Sequence, residues 1–290
     1  MVKELLATSG TKLPAVSQTE EKFRLGIEEE FFLVDAATGR VVAETPASLF
    51  EAANLATQGQ VDREFLQCQV EATTPPFSSI AEAKAELRYI RGVLGRFAAF
   101  NGLKIAAAGT HPLDDWQSAK QTNNDRYKEV MDELQLVGRR NVVCGMHVHV
   151  EVPDPDRRIE LMARLVEYLP LLLALSTSSP FWQGGSSGLK GYRLAANGEL
   201  PRSGLPELFS SNEDYRRYVN LMQASGAIRD ASYLWWMIRP SLKFPTLELR
   251  APDSCTYVDD TVAIASLYRC LVAHCYRTEA PWPDGVTRGL

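Results

Sequence analysis

One stretch near the middle of the chain, Val142–Val152, restricts the possible folds more than any other. It contains Cys144-Gly-Met-His-Val-His-Val-Glu-Val152, and on a β-strand residues two apart share a face. One face then carries Cys144, Met146, Val148, Val150 and Val152, and the other carries Gly145, His147, His149 and Glu151. Two of the four histidines therefore point the same way from a strand whose back is wholly apolar. Such a strand has to sit in a sheet that covers one face and leaves the polar face to do something else. An HxH pair alone would fit equally well as a solvent-facing edge.

The pattern recurs. In Gly26-Ile-Glu-Glu-Glu-Phe-Phe-Leu-Val34, Glu28 and Glu30 share a face. In Gln67-Cys-Gln-Val-Glu71, Gln69 and Glu71 do, with Glu64 near the strand entry. In Thr246-Leu-Glu-Leu-Arg250, Glu248 and Arg250 line one face and Leu247 and Leu249 the other. Singly, each is an amphipathic strand with a wet side. Together they predict a sheet face crowded with carboxylates, whose mutual repulsion requires cations or protons. Carboxylates with an imidazole suit Mg²⁺ or Mn²⁺ better than zinc, and more than three of them imply more than one ion. Paired ions beside arginines are what phosphoryl transfer needs. No Gly-rich phosphate loop is present, so arginine must do more of that work, and Arg250, Arg193 and Arg202 are placed to do it.

The rest of the chain supplies the scaffold. Strands are expected at Arg24–Val34, Arg40–Ala43, Gln67–Thr73, Leu103–Ala108, Val142–Val152 and Thr246–Ala251, and helices at Ser79–Asn101, Asp125–Leu136, Arg157–Leu175, Asn212–Met222 and Asp259–Arg277. Ser176–Pro206 is rich in Gly, Ser and Pro and reads as a long functional loop. Strands and helices mix without a βαβα rhythm, which predicts an α+β fold on a mainly antiparallel sheet. Residues 1–20 read as a flexible arm, 21–278 as one catalytic domain and 279–290 as a tail. The net charge of −5 argues against a nucleic-acid binder. The uncharged run from Tyr168 is about 15 residues long, contains Pro170, and falls short of the ~20 that a membrane span needs. Five scattered cysteines without a CxxC fit a reducing compartment, hence a cytoplasmic protein.

With these residues the chain resembles the carboxylate–amine ligase family, also called the type 2 glutamate–cysteine ligase family, of the glutamine synthetase superfamily. The matching pieces run in order from Gly26-Ile-Glu-Glu-Glu-Phe through Gln69-Val-Glu-Ala-Thr-Thr-Pro75, Ala108-Gly-Thr-His-Pro112 and Cys144-Gly-Met-His-Val-His-Val150. They continue with Ser179-Pro-Phe-Trp182, Pro201-Arg-Ser-Gly-Leu-Pro206 and Leu247-Glu-Leu-Arg-Ala-Pro-Asp253. The resemblance implies a curved antiparallel sheet with helices on its outer face and metals on its concave face. It implies Glu28, Glu30, Glu64, Glu71, His147 and Glu248 as the Mg²⁺ or Mn²⁺ ligands. His149 and Arg250 would contact phosphate or the acyl substrate, Arg193 and Arg202 the ATP phosphates or an acyl phosphate, and Arg140 the substrate carboxylate. ATP would be the co-substrate, glutamate or another amino acid the carboxylate, and an amine the acceptor. The resemblance also allows a homo-oligomer.

Some positions depart from the family pattern. Glu29 lies between two metal-type acids but faces away from them, so it is expected to be a structural or a surface residue, one that could pair with a base. Tyr192–Pro201 lacks a tryptophan expected near its middle, Glu151 stands where glycine is usual, and the sequence stops at Leu290, where members continue with a helical segment. Two rivals stand beside the ligase, the first motivated by the altered loop and the early end of the sequence, the second by the HxH pair and opposed by the carboxylate-heavy set. One is a metal- and nucleotide-binding regulatory protein without catalysis, which would bind ATP without turnover. The other is a metal-dependent hydrolase using the HxH pair, which would require zinc.

Overall fold

Strand β1, Leu25–Asp35, organises the molecule. Its residues alternate between two packed faces, and Phe31, Phe32 and Leu33 are all fully buried. The computed structural model describes residues 23–113 and 116–278; the expected arm at 1–20 and tail at 279–290 lie outside the described residues. After β1 come α1 (Ala47–Ala56), β2 (Val61–Arg63), β3 (Gln69–Thr73), α2 (Ile80–Phe100), β4 (Leu103–Ala106), α3 (Asp125–Leu134), α4 (Leu136–Arg140) and β5 (Met146–Glu151). The chain continues through α5 (Arg158–Leu165), α6 (Leu169–Ser176), β6 (Phe181–Trp182), β7 (Gly185–Ser186), α7 (Tyr192–Asn197) and β8 (Ser203–Gly204). It ends with α8 (Asn212–Ala224), β9 (Trp235–Trp236), β10 (Ile238–Pro240), β11 (Thr246–Leu249) and α9 (Val258–Arg277).

Seven strands form one sheet in the order β10-β11-β5-β1-β3-β2, with β4 also on β1. Every pairing in it is antiparallel. The fold class is the expected α+β, an antiparallel sheet with helices. β1 is long enough to serve several partners: β5 pairs with Leu25–Glu29, β3 with Glu28–Phe32 and β4 with Phe32–Asp35.

One face of the sheet is covered by helices. Leu25, Ile27, Met146, Val148, Val150, Leu247 and Leu249 pack with residues of α5 and α9, including Leu161, Val262 and Tyr268. Phe31, Leu33 and Val70 pack with Leu49 and Phe50 of α1 and Ile90 and Leu94 of α2. Each such large side chain contributes roughly 1.5–3 kcal/mol when fully buried. Helix α2 starts where expected, because the Ser79 hydroxyl accepts from the Glu82 amide and Ala83, Leu87, Ile90 and Leu94 recur on one buried stripe.

Several expected elements are corrected. Arg40–Ala43 is not a strand; only Val41 bridges to Val34. The Arg157–Leu175 helix is divided into α5 and α6 by a tight turn at Val166–Tyr168, as Pro170 cannot give the amide a continuous helix needs. The Asp125–Leu136 helix ends at Leu134, since Gln135 takes φ 50°. Regular pairing in the His-containing strand starts only at Met146, and Cys144 packs with Phe32, Leu66 and Met131 in a separate cluster. The Ser176–Pro206 loop contains α7 and three short strands. No helix among the described residues is long and apolar enough to cross a membrane.

Candidate active site

The other face of the sheet collects the acids, and the register explains how. Glu28 lies opposite His147, Glu30 opposite Glu71, Glu71 opposite Asp62, and Glu248 between His149 and Arg239. Directly opposed residues on one face have neighbouring side chains, so these strands write rows of polar groups across the sheet. Glu28 Oε2 is 3.1 Å from His147 Nδ1, and its Oε1 is 3.2 Å from His149 Nε2. Glu30 Oε2 accepts from the Gly145 amide at 2.6 Å. Thr246 Oγ1 lies 2.9 Å from His149 Nδ1, so both ring nitrogens of His149 are held.

These rows floor a cavity of about 710 Å³ that is also lined by Glu64, Tyr127, Arg126, Lys243 and Arg250. That is an ordinary size for a small-molecule site. Ligand atoms of three overlapping groups lie within 4.8 Å of one another: Glu28, Glu71 and His147; Glu28, His149 and Glu248; and Glu30, Glu64 and Glu71.

The electrostatics divide the cluster in two. Burial, reinforced by the charge of Glu30, pushes the Glu64 carboxyl up to about 8. Burial and the charges of Glu64, Glu28 and Glu30 drive Glu71 well above its usual range. On the other side burial alone would raise Glu28 as well, but His147 and His149 outweigh it and hold Glu28 well below the ordinary value. Burial likewise acts upward on Glu248, and Arg250 and Arg239 overcome it. Burial and Arg250 lower His147 and favour the neutral imidazole, the form that ligates metals. Its Nε2 is buried without a hydrogen-bond partner. An orphaned imidazole nitrogen beside carboxylates that cannot all ionise fits one or more divalent cations.

Comparison with known proteins supplies the family. Residues 24–285 match the description of glutamate-cysteine ligase family 2. The chain belongs to that family. A Bradyrhizobium diazoefficiens member named "Putative glutamate--cysteine ligase 2" is 52% identical over 256 residues, covering 88% of this chain and 60% of the relative. The chain spans about 60% of the length of the first curated relatives it matches. Two solved structures share the fold. A Francisella tularensis glutamate–cysteine ligase has a TM-score of 0.67 at 15% identity, covering 90% of this chain and 68% of that one. A Pasteurella multocida bifunctional glutathione synthetase has a TM-score of 0.65 at 18% identity, covering 87% and 39%.

In this family 2 member the structure brings together Glu28, Glu30, Glu64, Glu71, His147, His149, Glu248, Arg250 and Arg193 around the cavity. It does not bring Arg202 or Arg140 to the cavity lining. Arg202 is bound to Glu133 at 2.7 Å and stacked over Trp235, and Arg140 pairs with Glu199 at 2.9 Å. Arg193 lines the cavity, yet its Nη1 is bonded to backbone carbonyls. His149 also belongs to a candidate metal group, beyond the substrate contact expected of it. Glu29 faces away from the acids and is structural rather than surface: it is fully buried on the helix side, between Arg91 at 2.5 and 2.9 Å and Thr261 at 2.7 Å.

Sequence reasoning missed Arg239, which grips Glu248 with two bonds of 2.7 and 3.2 Å. The signal was the alternation Trp236, Ile238, Pro240 on one side against Arg239 on the other, in a strand too short to stand out. Asp62, Lys243 and Trp235 were missed as well, because they reach the cavity from short or irregular segments, and so was Arg126, in the first turn of α3.

Proposed function

We propose that the chain carries the catalytic face of an ATP-dependent carboxylate–amine ligase. The observation that carries this reading is the single cavity in which Glu28, Glu30, Glu64, Glu71, His147 and Glu248 converge beside Arg250 and Arg239. Family membership makes glutamate the first acyl donor to test and cysteine the first amine.

In the first step an oxygen of the donor carboxylate attacks the γ-phosphorus of ATP. The bond to the bridging oxygen breaks, and ADP leaves with the electron pair. In the second step the neutral amine attacks the acyl carbon of the resulting acyl phosphate, phosphate departs, and the nitrogen loses one proton as the amide forms. Mg²⁺ or Mn²⁺ held by the six residues, when bound, supplies positive charge against the phosphate oxygens. The protein's own part is to hold its groups in place. Arg239 and the Arg250 guanidinium fix both Glu248 oxygens, while Glu28 and Thr246 orient His149. Arg250 keeps its charge despite burial because Glu248 offsets the desolvation, so a cation faces the reacting phosphate. Use of ATP, together with cysteines that are all free thiols, suits a cytoplasmic setting.

The test is ADP release from Mg²⁺-ATP over a panel of amino acids, with hydroxylamine present to trap an acyl phosphate as its hydroxamate. A hydroxamate formed from one carboxylate is the expected result and names the donor. Nucleotide binding with no ADP released for any donor would replace this reading with the non-catalytic one. The commitment of Arg193 and Arg202 to protein groups keeps that second reading in view.

A further inference from the structure

We propose that Arg193 is a positioning residue that braces the end of β11 against the start of β5 and acts through Arg250 and Glu30 without touching a substrate. The proposal rests on the ligase reading above. Arg193 stands in the first turn of α7 and is only 5% exposed. Its Nη1 donates to three carbonyl oxygens in a row, those of Arg250 at 3.2 Å, Ala251 at 3.3 Å and Pro252 at 3.1 Å. Three consecutive carbonyls aimed at one point repel one another unless a donor stands between them. The guanidinium supplies that donor to the segment that follows β11.

The other edge of the same guanidinium fills a slot left by a missing side chain. A Cβ on Gly145 would lie 2.0 Å from Arg193 Nη2 and 3.1 Å from its Nε. Nε is buried there without a hydrogen-bond partner. Gly145 is also the residue whose amide fixes Glu30 Oε2 at 2.6 Å. The next amide, that of Met146, donates to the Pro252 carbonyl at 3.0 Å, and the Ser254 amide donates to Cys144 at 3.1 Å. The two backbone segments that aim Glu30 and Arg250 are thus laced together around Arg193.

The brace is itself anchored. The Arg193 amide donates to Ser179 Oγ at 2.9 Å, and that hydroxyl donates to the buried Asp253 carboxylate at 2.6 Å. Asp253 also accepts from the Ser178 amide at 2.9 Å. The Ser176–Pro206 segment is therefore fastened to the strand ends from two sides. A carboxylate and an arginine held by the same turn act as one unit that sets where Arg250 stands.

The experiment compares the wild type with R193M and G145A. R193M removes the donor, and G145A keeps the guanidinium but forces it out of its slot. ADP release gives kcat and the KM values for ATP and donor, and hydrogen exchange followed by mass spectrometry gives a readout that needs no turnover. Both variants are expected to lose about 100-fold in kcat, the scale of a misplacement near 1 Å, with both KM values within about three-fold of wild type. Amide exchange at Met146 and Ser254 should quicken by about ten-fold or more in both. A KM for ATP raised about ten-fold with kcat kept would make Arg193 a direct phosphate ligand and overturn the proposal. Unchanged exchange at those two amides would also overturn it, whether or not the wild type releases ADP. If R193M does not fold, G145A alone decides. A wild type that releases no ADP refutes the ligase reading and leaves the exchange result to judge the brace.

Discussion

Glu64 and Glu71 face the same cavity as Glu28 and Glu30, and without a cation they answer the crowding by keeping protons. An acid whose folded value is raised adds stability below its unfolded value, near 4.3, and loses it as pH climbs to the folded value, about 8 for Glu64. His147, lowered by burial, acts in the opposite direction only up to its unfolded value near 6.5. Between about pH 6.5 and 8 the carboxyls therefore dominate, at a slope of up to ~1.4 kcal/mol per pH unit for each proton held. Thermal melting with a chelator should show Tm falling across that window, and excess Mg²⁺ should flatten the fall. A chelated protein equally stable at both ends would contradict the protonated pair. E28Q should abolish turnover and weaken Mn²⁺ binding, read by calorimetry, while Tm stays close to wild type. E248Q should differ, because it strands Arg239 and Arg250 in a buried site; a loss of about 3–5 kcal/mol in urea unfolding is expected. That Glu28, Glu30, Glu71 and Glu248 share the face of His147 was legible because a period of two fixes which side chains share a face, whereas Glu64 lies just past β2 and has no such period. Arg239 was not, since Ile238–Pro240 is too short to establish a period. Arg193 was found as a residue but not in its place, because three carbonyls brought together by tertiary turns leave no trace in local sequence.

Glu29 makes the same point for whole elements. It sits on the apolar side of β1, where Arg91 of α2 and Thr261 of α9 meet it, so one buried carboxylate joins a strand to two helices. The Arg91 guanidinium also donates to the Cys255 and Thr256 carbonyls, which tie down the approach to α9. R91M should cost about 3–5 kcal/mol by leaving Glu29 charged and unpaired, while Mn²⁺ affinity, measured well below the new Tm, changes little. A large loss of affinity without loss of stability would mean that the pair serves the site rather than the scaffold. Long amphipathic elements such as α2 and α9 were readable from their caps and stripes. The division of α5 from α6 was available locally in Pro170, whereas the late start of β5 depended on Gly145 fitting against Arg193, which a local pattern does not carry. α1 and β2 were passed over because the segment between Glu44 and Glu64 lacks both a side-chain cap and a clear period.

For the whole molecule, the sheet order matters more than its strand count. β11 reaches β1 only through β5, and β5 is the one strand that pairs with both. Adding excess Mg²⁺ should stabilise the folded chain by roughly 2.7 kcal/mol at a hundred times the dissociation constant, a shift that differential scanning calorimetry can read. Absence of any shift would remove the cations from the site. The family was legible from motifs in order, and the fold from alternation; the cavity's outer walls were not, because they come from irregular turns. The order of the strands also bears on synthesis. A nascent chain emerges from the ribosome with Glu28, Glu64 and Glu71 long before Glu248, and long-range strand pairs form slowly. Until β10 and β11 arrive, the acids stand together without the guanidinium groups of Arg239 and Arg250. Repulsion among those first acids is then met by protons or cations taken from the surroundings.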